Sequence, residues 1–263
     1  MVRRLGIIRN GYSQPLFHAL RRREASQQDP QFAFELIADT PANLAVKLRQ
    51  GDLDAAFLSP VDYAKEPGRY RIVPEIGLIS AGESRAVRLQ FKERLNKIQS
   101  IAVRPDVSSS DIVLATLVLA EKYELTPSIV PVADPAQSPL QKADALLVTG
   151  DEAFIAGDIH QLDLVDEWND ICELPYVHGF WAAAENSLTV PEIRKLVELS
   201  QAGIAEYEYS GEEQLWFEEH FGYHLHEDAV VALGEFLNMA YYHGILKELV
   251  VPRFFDLKKI KSA

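Results

Sequence analysis

Short apolar strands alternate with helices along most of the chain, and one interruption of this rhythm limits the folds that the chain can adopt. Leu5 to Ile8 predicts a strand, and Thr40 followed by Pro41 predicts a helix start after the next strand. From Arg71 to Phe91, however, several strands follow one another with no helix between them, and the alternation then restarts. This pattern predicts an α/β protein in which the run of strands crosses from one lobe to a second.

The chain order also predicts how the two lobes are divided. We assign residues 1–88 and 186–263 to lobe 1, which is discontinuous, and residues 89–185 to lobe 2, which is inserted. Tyr176 to Ala184 is extended, and we interpret it as the return crossing. From Val190 onward the pattern is helical, which predicts a helical C-terminal tail. Two lobes joined by two crossings predict a ligand cleft between them.

Composition excludes several classes of partner and predicts the compartment. The net charge of −13 argues against nucleic acid, whose phosphates would be repelled. No apolar run approaches the roughly 20 residues of a membrane span, so no membrane partner is expected. Because the first strand turns polar at Arg9 and Asn10, too early for a signal peptide, the sequence predicts a cytoplasmic protein. No metal site or cofactor is expected, and the histidines at 220, 224 and 226 are interpreted as a solvated helix junction.

The run Ser108-Ser109-Ser110-Asp111 is the most informative candidate site. It precedes an apolar-periodic segment to about Tyr123, so its oxygens are suited to cap a helix. One interpretation is that these residues only cap the helix. The other is that the first-turn amides, together with the helix dipole, bind a carboxylate or phosphate. The two interpretations remain open on sequence alone.

Other candidate ligand-binding residues lie at predicted strand ends, helix starts and crossings. They are Tyr12 and Ser13 after the first strand, Ser59 after a buried strand, Ser84 and Arg85 on the first crossing, Gly150 and Asp151 after the strand at 145–148, and Trp181 on the return crossing. Arg85 could pair with a ligand carboxylate, and Trp181 and Tyr12 could flank a ring. Core packing is the common alternative for both aromatic residues. No catalytic residue can be assigned from these patterns.

Several segments resemble, in their residues and in their order along the chain, a family of menaquinone biosynthesis by the futalosine route. They are Gly51-Asp52-Leu53-Asp54-Ala55-Ala56 with Ser59-Pro60, Gly150-Asp151-Glu152-Ala153, Leu174-Pro175-Tyr176-Val177 with Trp181-Ala182-Ala183, and Leu233-Gly234-Glu235-Phe236 with His243-Gly244-Ile245-Leu246. The family includes chorismate dehydratase and an enzyme that forms 1,4-dihydroxy-6-naphthoate. The resemblance implies the two-lobed (type II) fold of periplasmic solute-binding proteins.

Within that family, the sequence is more similar to the dehydratase branch. Gly150-Asp151 stands where the naphthoate-forming branch is expected to carry a His-Glu pair. The family motif Asp-x-Ser-Ser-Arg-Thr-Ser keeps Asp106, Ser108 and Ser109, whereas Ser110-Asp111-Ile112 replaces its last three residues. The residues before Pro15 also depart from the Tyr-Leu-Asn that the dehydratase branch usually carries there.

The resemblance implies conversion of chorismate to 3-enolpyruvylbenzoate by a carbon–oxygen lyase. The alternative is a non-catalytic solute-binding protein of the same fold. In both cases the expected partner is a small carboxylate, or in the binding protein another polar metabolite, held between the lobes. A homodimer is also possible.

Overall fold

The computed structural model describes residues 2–26, 34–132, 139–155 and 160–257. Its strands are β1 (Arg3–Ile7), β2 (Phe34–Ala38), β3 (Ala55–Leu58), β4 (Tyr70–Ser80), β5 (Val87–Phe91), β6 (Ser100–Val103), β7 (Ser128–Pro131), β8 (Ala145–Thr149), β9 (His160–Asp163), β10 (Tyr176–Ala184) and β11 (Phe221–His224). Its α-helices are α1 (Gln14–Ser26), α2 (Pro41–Gln50), α3 (Pro60–Ala64), α4 (Ser109–Tyr123), α5 (Asp151–Phe154), α6 (Leu164–Cys172), α7 (Val190–Glu206), α8 (Glu212–His220) and α9 (Glu227–Tyr242). A 3-10 turn, Gly11–Ser13, precedes α1.

The strands form two separate sheets, which define the two lobes. The sheet of the first lobe has the order β11-β4-β10-β3-β1-β2, and the sheet of the second lobe has the order β7-β6-β8-β5-β9. In the first lobe β1 lies parallel to both β2 and β3. The carboxyl ends of these three strands therefore meet at one edge of the sheet, where α/β proteins usually bind ligands.

The strand β10 corrects one part of the predicted lobe division. The sequence pattern predicts Tyr176–Ala184 to be a return crossing in the inserted lobe, but this segment pairs antiparallel with β3 and β4 in the first sheet. Gly179 permits that position, because a Cβ added there would lie 2.8 Å from the carbonyl oxygen of Leu58. The crossings between the sheets are therefore the segments after Ser80 and after Asp163.

Helix starts are formed by the capping residues that the sequence predicts. Thr40 accepts a hydrogen bond from the amide of Asn43, Pro41 occupies the first turn of α2, and Gly51 ends that helix at φ 82°. Ser108 caps α4 by accepting from the Asp111 amide at 3.1 Å. Both predicted helix starts are confirmed. The cap of α4 fixes the turn of the second lobe that faces the cleft between the lobes.

The C-terminal helix α9 contacts both lobes. It packs against β10 and α3 of the first lobe and against α4 of the second. The Phe236 ring meets Trp168 and Tyr176 in edge-to-face contacts at 5.5 Å. Among the described residues, no helix combines the length and apolar character needed to cross a bilayer.

Candidate ligand site between the lobes

A cavity of about 570 Å³ lies between the two lobes, within the range of small-molecule pockets. The first lobe contributes the residues that follow β1 and β2, and the second contributes the turn before α4 and the end of β8. The lining residues are Ile8, Arg9, Asn10, Tyr12, Ala38, Asp39, Thr40, Pro41, Lys47, Asp106, Ser108, Asp111, Thr149, Gly150, Asp151 and Glu152.

On the first-lobe side, the cavity is lined by two cationic side chains that have different hydrogen-bond partners. Lys47 donates to Asp39 at 2.6 Å, and this contact lowers the pKa of the Asp39 carboxyl to about 2. Arg9 donates through Nη2 to the carbonyl oxygen of Ala38 at 2.7 Å. Within the described ranges, Arg9 is the only cation that lines the cavity without a carboxylate partner. It is therefore the group best placed to pair with a ligand carboxylate.

On the second-lobe side, Asp111 stands in the first turn of α4. Its Oδ1 atom accepts a hydrogen bond from the Tyr176 hydroxyl at 3.1 Å. Burial raises the pKa of the Asp111 carboxyl to about 6, although hydrogen bonds from Ser108 and Tyr176 act in the opposite direction. A carboxyl group with a pKa near neutrality can both accept and donate a proton under physiological conditions.

Tyr12 lies close to the Asp111 carboxyl and packs against another aromatic ring. Its ring stacks on Phe221 with a centroid distance of 4.7 Å, and it lines the cavity together with Asn10. Burial, with Asp111 nearby, keeps the pKa of the Tyr12 hydroxyl well above its usual value. The Oδ1 atom of Asn10 is buried and, in the described part of the chain, has no hydrogen-bond partner. An unpaired acceptor at the wall of a cavity is a group that a ligand hydroxyl can satisfy.

Beside the bond from Tyr176 to Asp111, further hydrogen bonds join the lobes near the cavity. The Gly11 amide donates to Asp151 Oδ1 at 2.7 Å, and the Val61 amide donates to Ser110 Oγ at 2.8 Å. Lys65 Nζ donates to Ser109 Oγ at 2.5 Å. Ser109 and Ser110 are therefore used in contacts with α3, whereas Ser108 and Asp111 face the cavity.

The predicted site residues consequently separate into two groups. The structure brings Tyr12, Ser108, Asp111, Gly150 and Asp151 together around one cavity. It places the remaining predicted residues away from the lining, namely Ser13, Ser59, Ser84, Arg85, Ser109, Ser110 and Trp181.

Local contacts explain the positions of two of these residues. Trp181 lies in the core between Phe17 and Phe57, with no exposed surface. Arg85 packs over the Trp216 ring, with 3.4 Å between its guanidinium carbon and the ring centroid. Each of these groups is therefore already occupied by a contact within the protein.

The remaining off-cavity serines support turns and crossings. Ser13 donates to the carbonyl oxygen of Asn10, and Ser59 caps α3 while donating to Asp62 at 2.8 Å. Ser84 lies beside Asp163, which also accepts from the Arg85 amide at 2.6 Å. The bonds of Ser84 and the Arg85 amide to Asp163 connect the two crossings between the sheets.

Sequence reasoning did not single out several lining residues. Arg9 and Asn10 lie in the loop after β1, and Asp39 and Thr40 follow β2. Since parallel neighbouring strands end at the same sheet edge, their position after two apolar strands was the available signal. Tyr176 carried no such signal, because its hydroxyl reaches Asp111 only through the pairing of β10 in the first sheet.

The described residues contain no group of three or more His, Cys, Asp or Glu side chains arranged to hold a metal ion. His178 lies behind the cavity, where its Nε2 atom is 2.7 Å from Ser80 Oγ. Burial lowers the pKa of the His178 imidazole to about 3, so this ring is neutral at physiological pH.

Comparison with known proteins identifies a family and a fold. A family model described as menaquinone biosynthesis matches residues 3–242. Protein AF1704 from Archaeoglobus fulgidus superimposes with a TM-score of 0.69 at 18% identity, over 93% of this chain and 98% of that chain.

Two further solved structures have the same architecture. The CA3427 gene product of Candida albicans, described as having the generic periplasmic binding protein fold, gives a TM-score of 0.62 at 14% identity and covers 100% of both chains. The alkanesulfonate-binding protein SsuA from Xanthomonas axonopodis pv. citri, bound to MOPS, gives 0.58 at 14% identity, over 95% of this chain and 96% of that chain. The predicted periplasmic-binding-protein-like fold is therefore confirmed.

Proposed function

The chain belongs to the menaquinone biosynthesis family, and we propose that it is a chorismate dehydratase-like carbon–oxygen lyase. The reaction removes the C3 hydrogen and the C4 hydroxyl of chorismate and yields 3-enolpyruvylbenzoate and water. The observation that carries this proposal is that two groups of different character line the same inter-lobe cavity. Arg9 is a cation without a carboxylate partner among the described residues, and Asp111 is a carboxyl whose pKa is raised to about 6.

In this proposal Asp111 is the acid–base group. At neutral pH its carboxylate accepts the proton from C3 while the C3–H electron pair forms the new ring double bond. The C4–O bond breaks in the same step, its electron pair leaves with the oxygen, and the proton held by Asp111 then passes to that oxygen to give water. Because the ring becomes aromatic, the protein needs only to position the substrate and assist this proton transfer.

Arg9 and the start of α4 supply the binding groups. The Arg9 guanidinium pairs with a ring or side-chain carboxylate of the substrate, and such charge-assisted hydrogen bonds are stronger than neutral ones. Ser108 lies at the amide end of α4, where the helix dipole favours an anion. Tyr12 and Asn10 line the same cavity and offer contacts to the ring and its hydroxyl.

Turnover of chorismate by the purified protein tests the proposal. We expect a product with the absorbance and mass of 3-enolpyruvylbenzoate, and we expect Asp111→Asn to lower kcat at least about 100-fold, as loss of general acid–base catalysis does. Arg9→Gln should instead raise KM about 10-fold or more, because it removes a charged contact to the substrate.

Two variants serve as controls for that experiment. Glu152→Gln changes a lining carboxylate that is paired with Arg104, and Arg85→Gln removes a cation that packs on Trp216 outside the cavity. Both should keep kcat and KM within a few fold of the original values. Absence of product at high enzyme concentration, or full activity of Asp111→Asn, would contradict the proposal.

A second candidate function is ligand binding without turnover. It is favoured by Ser110, which stands where the resembled motif carries an arginine and which is bonded to the Val61 amide. Solved binding proteins of this fold, such as SsuA bound to MOPS, offer a parallel. Chorismate or another small carboxylate that raises Tm without being consumed would support this alternative.

Two further sequence predictions belong to the proposal. We propose a cytoplasmic location and a homodimer, and neither depends on the site described above. Cell fractionation tests the first, and light scattering of the purified protein tests the second.

A further inference from the structure

We propose that Tyr176 is a positioning residue for the cavity carboxyl: from the first lobe, its hydroxyl holds the Asp111 side chain of the second lobe. This inference rests on the proposed function only in giving Asp111 a chemical role. The hydrogen bond itself, 3.1 Å from the Tyr176 hydroxyl to Asp111 Oδ1, belongs to the structure irrespective of the substrate.

The Tyr176 ring is held rigidly enough for this role. Only 1% of the residue is exposed. Its ring makes edge-to-face contacts with His178 at 4.8 Å and with Phe236 at 5.5 Å. The backbone of Tyr176 is also fixed, because Tyr176 pairs with Ser80 of β4 within the first sheet. The hydroxyl therefore presents a donor at a set position, which is how a supporting residue orients a functional group.

The Asp111 carboxyl has few other polar neighbours. Ser108 bonds to it from its own turn, and Tyr12 lies close to it on the first-lobe loop. Asp62 on α3 is a nearby negative charge, partly offset by Lys65 at 3.0 Å. Behind Tyr176, His178 is neutral because burial lowers its pKa to about 3. No cation thus contacts the Asp111 carboxyl among the described residues, and Tyr176 is the donor that reaches it from the opposite lobe.

This arrangement has two consequences. A hydroxyl that donates to the carboxylate stabilises its charged form, so it limits the rise in the pKa of Asp111 caused by burial. The bond also crosses the boundary between the lobes, so it forms only when α4 and β10 are close together. Tyr176 thereby links the orientation and charge of Asp111 to the closed arrangement of the lobes.

Tyr176→Phe tests the inference, since phenylalanine keeps the ring and removes only the donor. The matched control is Tyr70→Phe, because Tyr70 is a buried tyrosine of the same sheet whose hydroxyl has no hydrogen-bond partner in the described part of the chain. The primary measurement is the titration of the Asp111 carboxyl by NMR of the protein labelled with ¹³C at aspartate carboxyl carbons, assigned with Asp111→Asn. This measurement needs neither substrate nor turnover.

We expect Tyr176→Phe to shift the Asp111 titration upward by about 0.5 to 1 pH unit, and Tyr70→Phe to leave it unchanged. If the protein turns over chorismate, the acidic limb of the kcat profile should move by the same amount, with KM changed less than kcat. Unchanged titration in Tyr176→Phe, or an equal shift in both variants, would overturn the inference. A shifted titration in a protein without turnover would uphold the inference and contradict the proposed function instead.

Discussion

At the scale of single residues, Asp111 combines two features that stable proteins normally keep apart. Its carboxyl group is shielded from solvent, and among the described residues no cation contacts it. Burial of a charged group without a paired charge is unfavourable for folding. Asp39, by contrast, is paired with Lys47 in the same cavity and has its pKa lowered to about 2. The two aspartates thus show that one cavity can hold carboxyl groups whose pKa values are shifted in opposite directions.

The pH dependence of stability follows from Asp111. Its pKa is about 6 in the folded protein against a usual value of 3.8, so ionisation destabilises the folded state. This cost is fully present above about pH 6 and disappears as the pH falls below about 4. We therefore expect Asp111→Asn to raise the free energy of unfolding at pH 7.5 by about 1 to 3 kcal/mol.

Urea unfolding at a series of pH values from 4 to 8 measures this difference. The control is Asp106→Asn, which removes an exposed carboxylate just before α4. It should change the free energy of unfolding by less than about 0.5 kcal/mol, as surface substitutions usually do. A variant Asp111→Asn that is less stable than the original at pH 7.5 would show that the carboxylate is stabilising.

At the scale of elements, the sequence predicted the features that depend on neighbouring residues. It did not predict the features that depend on residues distant in the chain. Thr40 with Pro41, and Ser108 before an apolar-periodic run, specify helix starts through bonds to amides two or three residues away. Trp181 and Arg85 could not be placed in this way. Whether Trp181 faces a cavity or the core depends on Phe17 and Phe57, which come from other parts of the chain.

The same contrast applies to the two interpretations of the serine run. The structure shows the capping and places Ser108 on the cavity lining, whereas binding of an anion by the first-turn amides remains a prediction. Ser109 and Ser110 have a third use, in bonds to α3, that no local pattern could reveal. The family resemblance supplied the fold, whereas the groups that meet in the cavity emerged only from the pairing of distant strands.

The cap of α4 makes a quantitative prediction. Ser108→Ala removes the acceptor for the Asp111 amide, so we expect a loss of about 1 kcal/mol in the free energy of unfolding, as for other serine caps. Ser109→Ala is the control, because among the described residues the Ser109 hydroxyl accepts only from the exposed Lys65 and should contribute less than about 0.5 kcal/mol. Chemical denaturation of both variants gives the comparison, and equal losses would argue against the assignment of Ser108 as the cap.

At the scale of the whole molecule, the lobes are joined by continuous chain at two crossings and by few polar contacts beside the cavity. Asp163 ties the crossings together, since it accepts from the Arg85 amide and caps α6. On the cavity side, Gly11 and Asp151 form a direct bond between the lobes. A ligand between the lobes must enter before such contacts close around it, so their strength affects how firmly it is held.

Asp151→Ala should therefore loosen the cavity without unfolding either lobe. The substitution leaves the Gly11 amide without its acceptor, and we expect hydrogen exchange of that amide to increase at least about 10-fold, which corresponds to about 1.4 kcal/mol of lost protection. Hydrogen–deuterium exchange of peptides that span residues 9–13, followed by mass spectrometry, measures this change. Glu152→Ala provides the matched control, because the neighbouring Glu152 carboxylate pairs with Arg104 within the second lobe. Exchange at Gly11 that is equally fast in both variants, or unchanged in Asp151→Ala, would mean that this bond does not hold the lobes together. Faster exchange in Asp151→Ala alone would mean that the Asp151 carboxylate, at the start of α5, holds the Gly11 loop of the first lobe against the second lobe.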